Sequence, residues 1–390
     1  MNTSIIADTS RPSPTLKPRS LLKGQRPSPA ILIGASAFAL FAVFPILNVT
    51  VPILLPGPLS SPASLLIIAV GLVYAGLAIS YDVVFGYTGL LSAGHAMVFA
   101  ISMYGTNIVM GQGFNYWIAA GLAVLLSTGV AAGLGALSLR VKGLAFTMVT
   151  LAFAEALFIL LLTDSFDISG GDEGLPLVFK QVPGLLANAR DARWLYWLAL
   201  LFAVFAYVLA LIAIRSRAGR VWQAIRENES RVESLGMVPY GYKLMAFVFS
   251  GFLAAIGGSV FLLVVRGANP SSASVQFSLA LIVMVVIGGK GRLWGAAIGG
   301  LLYVIITYRL PELSTSGVLD GLPTGVANVL AEPFFILGLF FVLIVLFAPK
   351  GLVGVVDAVA ARQRRGRKTR SRQADDIRRN PTLTAEEEKA

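Results

Sequence analysis

Long apolar runs separated by short polar breaks occupy the chain from residue 28 to residue 349. A helix needs about 20 apolar residues to cross the hydrocarbon of a bilayer, with roughly 17 to 25 as the working range. Runs of this kind fall at 28–48, 63–81, 89–110, 116–139, 143–162, 194–214, 243–265 and 331–349, and a shorter pair at 271–287 and 293–308 is separated by GGKGR. The pattern predicts an all-α, polytopic transmembrane helical protein of about ten spans, or about eight if the short pair is left out. Gly251, Gly257 and Gly258 in one run, and Gly295, Gly299 and Gly300 in another, predict helices that approach their neighbours closely.

The basic residues orient these spans. Arg11, Lys17, Arg19, Lys23 and Arg26 precede the first run, and Arg140, Lys142, the cations of 215–243, Lys290, Arg292 and the cluster Arg362 to Arg379 all follow even-numbered spans. The excess of Lys and Arg on one side predicts that this side, with both termini, is cytoplasmic. The opposite loop, 163–193, is slightly acidic. With 13% charged residues and a mean hydropathy of +0.78, the formal charge of +11 reflects basic ends flanking a membrane domain rather than a nucleic-acid surface. The expected organisation is a disordered cytoplasmic segment 1–27, a transmembrane domain 28–349 containing a cytoplasmic loop 215–242, and a basic disordered tail 350–390 whose cations suit inner-leaflet lipid. The first run lacks a clear small-residue cleavage site and is expected to be a retained helix. The chain has no cysteine, which removes disulfides, thiolate nucleophiles and cysteine metal sites.

Charge inside an apolar chain marks the candidate chemistry. In GRVWQAIRENESRVESLGM, 219–237, Val221, Ile225, Val232 and Leu235 share one arc of a helical wheel with Trp222 at its edge, while Gln223, Arg226, Ser230 and Glu233 lie opposite. This predicts a short amphipathic helix, 222–235, closed by Gly236, Pro239 and Gly241. Such a helix lies flat on lipid or docks in a partner; Glu227, Glu229 and Glu233 weaken attraction to anionic lipid and suit a groove of mixed charge. Gly86, Gly89 and Gly94 predict a broken or closely packed helix start. His95, the single histidine, has no cysteine or carboxylate beside it; it fits a helix–helix hydrogen bond better than a metal site or a translocation role. Asp82 falls at a cytoplasmic end, where water can reach it. Glu155 lies deeper, and either bonds a neighbour or lines a pathway. Gly288, Gly289, Lys290, Gly291 and Arg292 lack the GxxxxGK[ST] spacing of a phosphate loop, so they read as a tight cytoplasmic turn with Trp294 as an interfacial anchor, and the chain has no visible means of hydrolysing ATP. SGGDEG, 169–174, lacks the spacing of a calcium loop. No paired carboxylates or nucleophile and base of recognised spacing point to catalytic residues.

The segment 219–237 with KLMAFVFS, 243–250, resembles the cytoplasmic loop of inner-membrane permeases of bacterial ABC importers for branched-chain amino acids, the LivM type. GYTGLLSAGHAMVF (86–99), VKGLAFTMVTLAFAE (141–155), ISGGDEGL (168–175) and MVVIGGKGRLWGAAIGG (284–300) resemble further blocks of that family, in its order. The resemblance implies a multi-pass, non-catalytic permease subunit of the inner membrane. It forms half of an alternating-access pathway with a second related permease, served by two ATP-binding subunits and a periplasmic substrate-binding protein; ATP is bound by the partners, and the chain needs no cofactor of its own. The resemblance carries over to Arg220, Ala224, Arg226, Glu227, Asn228, Glu229 and Gly236 as loop positions. It makes 222–235, with Trp222, the coupling helix, Ile225 and Val232 its apolar contacts with the ATPase, and Glu227 or Glu229 its polar contact. Permeases of this kind also serve urea and short amides, which leaves the substrate open. A secondary transporter driven by an ion gradient, using Glu155 or Asp82, is the rival class.

Overall fold

Ser61, Asn115 and Ser274 each close the first turn of an apolar helix with a side-chain oxygen. The computed structural model describes residues 41, 44–46, 56–187, 192–315, 332–347, 351–352 and 354. Ser61 caps α1 (Pro62–Asp82), its hydroxyl accepting the Ser64 N–H at 3.3 Å, and Pro62 supplies a preset first φ. The helix continues through one π turn, Val83–Tyr87. After an irregular break come α2 (His95–Gly111) and α3 (Tyr116–Ser138), the latter capped by Asn115. Next are α4 (Leu144–Leu162), a single turn α5 (Gly184–Ala187) and α6 (Arg193–Arg215). Two short helices, α7 (Arg217–Glu227) and α8 (Glu229–Ser234), lead into α9 (Pro239–Val265). The series ends with α10 (Val275–Gly288), α11 (Leu293–Thr315) and α12 (Pro333–Phe347).

Among the described residues five helices are long and apolar enough to cross a membrane: Pro62–Tyr87, Tyr116–Ser138, Leu144–Leu162, Arg193–Arg215 and Pro239–Val265. α2, α10 and α12, of 17, 14 and 15 described residues, occupy predicted runs. The run predicted at 89–110 starts late, because residues 88–94 do not continue the helix. The predicted span 28–48 lies outside the described residues apart from Phe41 and the turn Phe44–Ile46, as do the segment 1–27 and all of the tail except Gly351, Leu352 and Gly354.

Except for Phe41, the described residues belong to one unit, Ala42–Ala390. Within it α1 and α9 form the centre: α1 packs on α6, α9 and α11, and α9 packs on α2 and α3. The apolar stretches of α1 and α9 are each 72% buried, against 28%, 22% and 33% for α3, α4 and α6, so these three form the periphery. Glycines let the centre close. A side chain at Gly258 would meet the Phe99 carbonyl of α2, and one at Gly299 would meet the Met284 carbonyl of α10, which matches the close approach expected of these two helices.

The connections gather at two ends. At one, β1 (Leu175–Pro176) pairs antiparallel with β2 (Gly267–Ala268), and Asn107 at the end of α2 donates to the Pro176 carbonyl at 2.9 Å and accepts the Val178 N–H at 3.2 Å. At the other lie the break 88–94, the α3–α4 turn, the α7–α8 loop and the α10–α11 turn, and the Gly351 backbone rests against Gly289 there. Arg140, Lys142, Lys290, Arg292 and the cations of the α7–α8 loop lie at this second end, while Lys180 and Arg266 lie at the first.

Candidate functional site

The charged loop is two helices rather than one. Ser216 caps α7, accepting the Gly219 N–H at 3.2 Å. Trp222 is buried among Ile79, Val83, Ile214, Ala246 and Leu293, and its indole N–H donates to the Tyr242 carbonyl at 2.9 Å. Asn228 then takes an extended backbone, φ −162° and ψ 105°, and its side-chain oxygen accepts the Arg231 N–H at 3.0 Å to start α8. This break corrects the single helix expected over 222–235 and resets its phase. Val232 still points inward, whereas Leu235 turns outward and is 71% exposed. Gly236, at φ +80°, closes α8; Pro239 opens α9 and Gly241 lies inside it, so neither of these ends the loop.

The break redistributes the expected contacts. Ile225 and Val232 are buried against the subunit itself, which corrects their assignment as apolar surface for a partner; the outward apolar residues are Leu235 and Val238. Ala224 is half-buried, and Arg220, Glu227 and Asn228 are exposed. Arg220 also donates to the Arg215 carbonyl at 3.2 Å. Glu229 faces inward, accepting from Lys243 Nζ at 2.6 Å with Lys142 Nζ at 3.6 Å, and Glu233 lies 3.7 Å from the same Lys142. Burial works against the charged form of Glu229, but Lys243 and then Lys142 outweigh it and hold the carboxyl below its ordinary pKa.

Arg226, expected on the polar side, reaches back into the membrane domain. Its guanidinium donates to the Gly86 carbonyl, and its stem lies over Gly89, which sits at φ +81°. Asp82 is fully buried rather than wet, and its Oδ1 accepts the Gly291 N–H at 2.7 Å. A side chain at Gly86 would strike both the Asp82 carboxylate and the Gly291 amide. Lys290 lies 5.9 Å from the Phe85 ring, within cation–π range. Gly288, Gly289, Lys290, Gly291 and Arg292 do form the tight turn expected between α10 and α11, and it is clamped onto the π turn of α1. A cavity of about 390 Å³ opens beside this junction, lined by Thr88, Gly89, Val141, Lys142, Thr147, Arg226, Glu229 and Lys243 among others.

Deeper, the break expected around Gly86, Gly89 and Gly94 is held by side chains that local reading of the runs passed over. The Ala93 N–H donates to Thr150 Oγ1 at 3.1 Å, Thr147 Oγ1 donates to the Leu91 carbonyl at 2.7 Å, and Ser278 Oγ donates to the Ala93 carbonyl at 2.7 Å. The available signal was Thr147 and Thr150, three apart in an otherwise apolar run. His95 does make the expected helix–helix bond. Ser80 Oγ donates to the Leu77 carbonyl and Ser250 Oγ to the Ser80 carbonyl, so the hydrogen in the 2.9 Å contact with Ser250 must come from His95 Nε2. Glu155 is half-buried in α4, and its Oε2 has no partner among the described residues. At the opposite end Asp164 accepts from the backbone and hydroxyl of Ser169 and from the Ile168 N–H, contacts that hold its carboxyl below the ordinary range.

A family model described as branched-chain amino acid transport system / permease component matches residues 64–311. The chain is 27% identical over 305 residues to the high-affinity branched-chain amino acid transport system permease protein LivM of Escherichia coli K12, covering 72% of this chain and 68% of that one. It is 26% identical over 247 residues to the probable LivM of Methanocaldococcus jannaschii, covering 60% and 67%. A more distant match is the ribose import permease protein RbsC of Haemophilus influenzae, 28% identical over 184 residues and covering 45% and 54%. No solved structure matches.

Proposed function

We propose a transport role for this chain from the premise that it belongs to the family of branched-chain amino acid transport system permease components. It is a non-catalytic, multi-pass permease subunit of an ABC importer in the inner membrane. Its substrate is a branched-chain or related small amino acid delivered by a periplasmic binding protein. A second, related permease completes the pathway, and two ATP-binding subunits bind and hydrolyse the nucleotide. The basic end and both termini face the cytoplasm, across about ten spans.

The observation that carries the reading is the double character of the loop 216–238. Its inner face is anchored through Trp222, Arg226 and Glu229, while Arg220, Glu227, Glu233, Leu235 and Val238 present a charged, partly apolar surface beyond the membrane domain. A loop with only the first property would be structural; a loop with only the second could not transmit force.

Because the chain has no cysteine of its own, single cysteines at Leu235 and Val238 provide a clean test. In inner-membrane vesicles they are expected to cross-link to the ATP-binding subunit. Leu235→Asp is expected to cut transport about tenfold, the equivalent of losing one buried aliphatic side chain at an interface. Cross-linking only to periplasmic proteins, or wild-type transport by Leu235→Asp, overturns the assignment.

A further inference from the structure

Among the five candidate spans the acidic residues are Asp82 and Glu155. Asp82 Oδ1 has the Gly291 amide as a partner, and among the described residues neither Asp82 Oδ2 nor Glu155 Oε2 has one. Glu155 is the twelfth residue of α4, so at about 1.5 Å per residue it lies roughly 16 Å from one end of the helix and 10 Å from the other. Neither the headgroups nor an adjacent loop is within its reach. A carboxylate at this depth is too costly to face lipid, and such groups face protein or a water-filled cavity.

Small residues flank Glu155 on the exposed side of α4. α4 exposes Leu144, Met148, Ile159, Leu160 and Leu162 toward its two ends and Ala152 and Ala156 at its middle, placing two alanines within a turn of the carboxylate. The outer side of α3 exposes Trp117, Ile118, Leu122, Leu125 and Leu126, the bulky surface expected against acyl chains. Only 22% of the apolar stretch of α4 is buried, so the helix is open around these alanines, while Glu155 Oε2 itself is buried and has no partner among the described residues.

We infer that Glu155 is a substrate-recognition residue of the translocation pathway, where its carboxylate accepts hydrogen bonds from the ammonium group of a zwitterionic amino acid. The inference rests on the amino-acid transport reading above and goes further by naming the group that meets the substrate. An ammonium supplies three donors and the compensating charge, which satisfies the carboxylate during passage and releases it again to water. It also gives the pathway a means of passing amino acids in preference to apolar solutes of similar volume.

The test uses the complete importer in proteoliposomes with its binding protein. Glu155→Gln is expected to slow amino-acid transport at least tenfold, the loss of one charge-assisted hydrogen bond, and Glu155→Asp to restore much of it. In parallel, Ala152→Cys and Ala156→Cys are expected to react with a charged, water-soluble methanethiosulfonate, whereas Leu125→Cys reacts only with a lipid-soluble maleimide. Wild-type transport by Glu155→Gln, or labelling of both alanine positions by the lipid-soluble reagent alone, overturns the inference. The thiol reactions decide the matter even if Glu155→Gln fails to assemble. If the unaltered importer moves no amino acid, or moves it under an ion gradient without ATP, the transport reading fails instead, and the thiol pattern still reports whether this face of α4 is wet.

Discussion

Glu229 illustrates how a single carboxylate changes meaning once its partners are known. The Lys243 side chain is 11% exposed and Glu229 Oε2 lies 2.6 Å from its ammonium, so losing the carboxylate strands a largely buried cation. The loss of a charge-assisted hydrogen bond costs about 1.5 to 3 kcal/mol when fully buried, and the partial exposure of Glu229 places it toward the lower end. Glu229→Gln should therefore loosen α8 from α9, and Glu229→Lys should do so more strongly by gathering three cations. The pH dependence follows from the direction of the pKa shift. A carboxylate held below its usual 4.5 contributes stability that is complete above that value and disappears as the pH falls through the lower folded value. In a variant retaining Trp222 as its only tryptophan, emission should stay constant from neutral pH down to about 5 and shift to the red below about 4, with Glu229→Gln already shifted at neutral pH. The sequence did not show this pairing, because Lys142 lies far away in the chain and a helical wheel registers only neighbours on the same helix.

At the scale of elements, the apolar runs and their order were legible because burying a backbone in lipid leaves the helix as its only local solution. The interruptions were less legible. The wheel drawn through 219–237 assumed an unbroken 100° step, but Asn228 stops α7 and restarts α8, so Val232 keeps its inward position while Leu235 does not. The break before α2 was anticipated from its glycines, but its partners Thr150 and Ser278 come from other helices and carry no mark of that in sequence. The cap makes a specific prediction. Asn228→Ala removes the acceptor for Arg231 N–H and should cost about 1 kcal/mol locally, whereas Asn228→Asp and Asn228→Ser keep a capping oxygen and should cost little. If the angle between α7 and α8 is what presents Leu235, the number of substrate molecules moved per ATP should fall in Asn228→Ala and be retained in the two capping variants. Equal ratios in all three would show that the angle has no part in coupling.

The molecule as a whole joins a rigid centre to an open periphery, and the charged loop is tied to the centre. Arg226 holds the π turn that follows α1 through Gly86, and Asp82 at the end of α1 holds the α10–α11 connection through Gly291. Displacement of the loop is thus passed directly to α1, one of the two most enclosed helices, and to α10 and α11, and does not depend only on the peptide links to α6 and α9. The loop and the α10–α11 turn should accordingly move as one body through the nucleotide cycle. Spin labels at Ser234 and Lys290, both exposed, test this. In the assembled importer their separation should be narrow and unchanged between ATP- and ADP-bound states, and Arg226→Ala should broaden it and make it dependent on nucleotide. Arg226→Lys, which keeps the charge but loses the planar fork, should fall between the two. Gly86→Ala attacks the same junction from the other side by driving a methyl group into the Asp82 carboxylate, and should prevent the junction from closing at all. A distance that varies with nucleotide in the unaltered protein would mean that force travels through the helix connections alone, with Arg226 only fastening a surface loop.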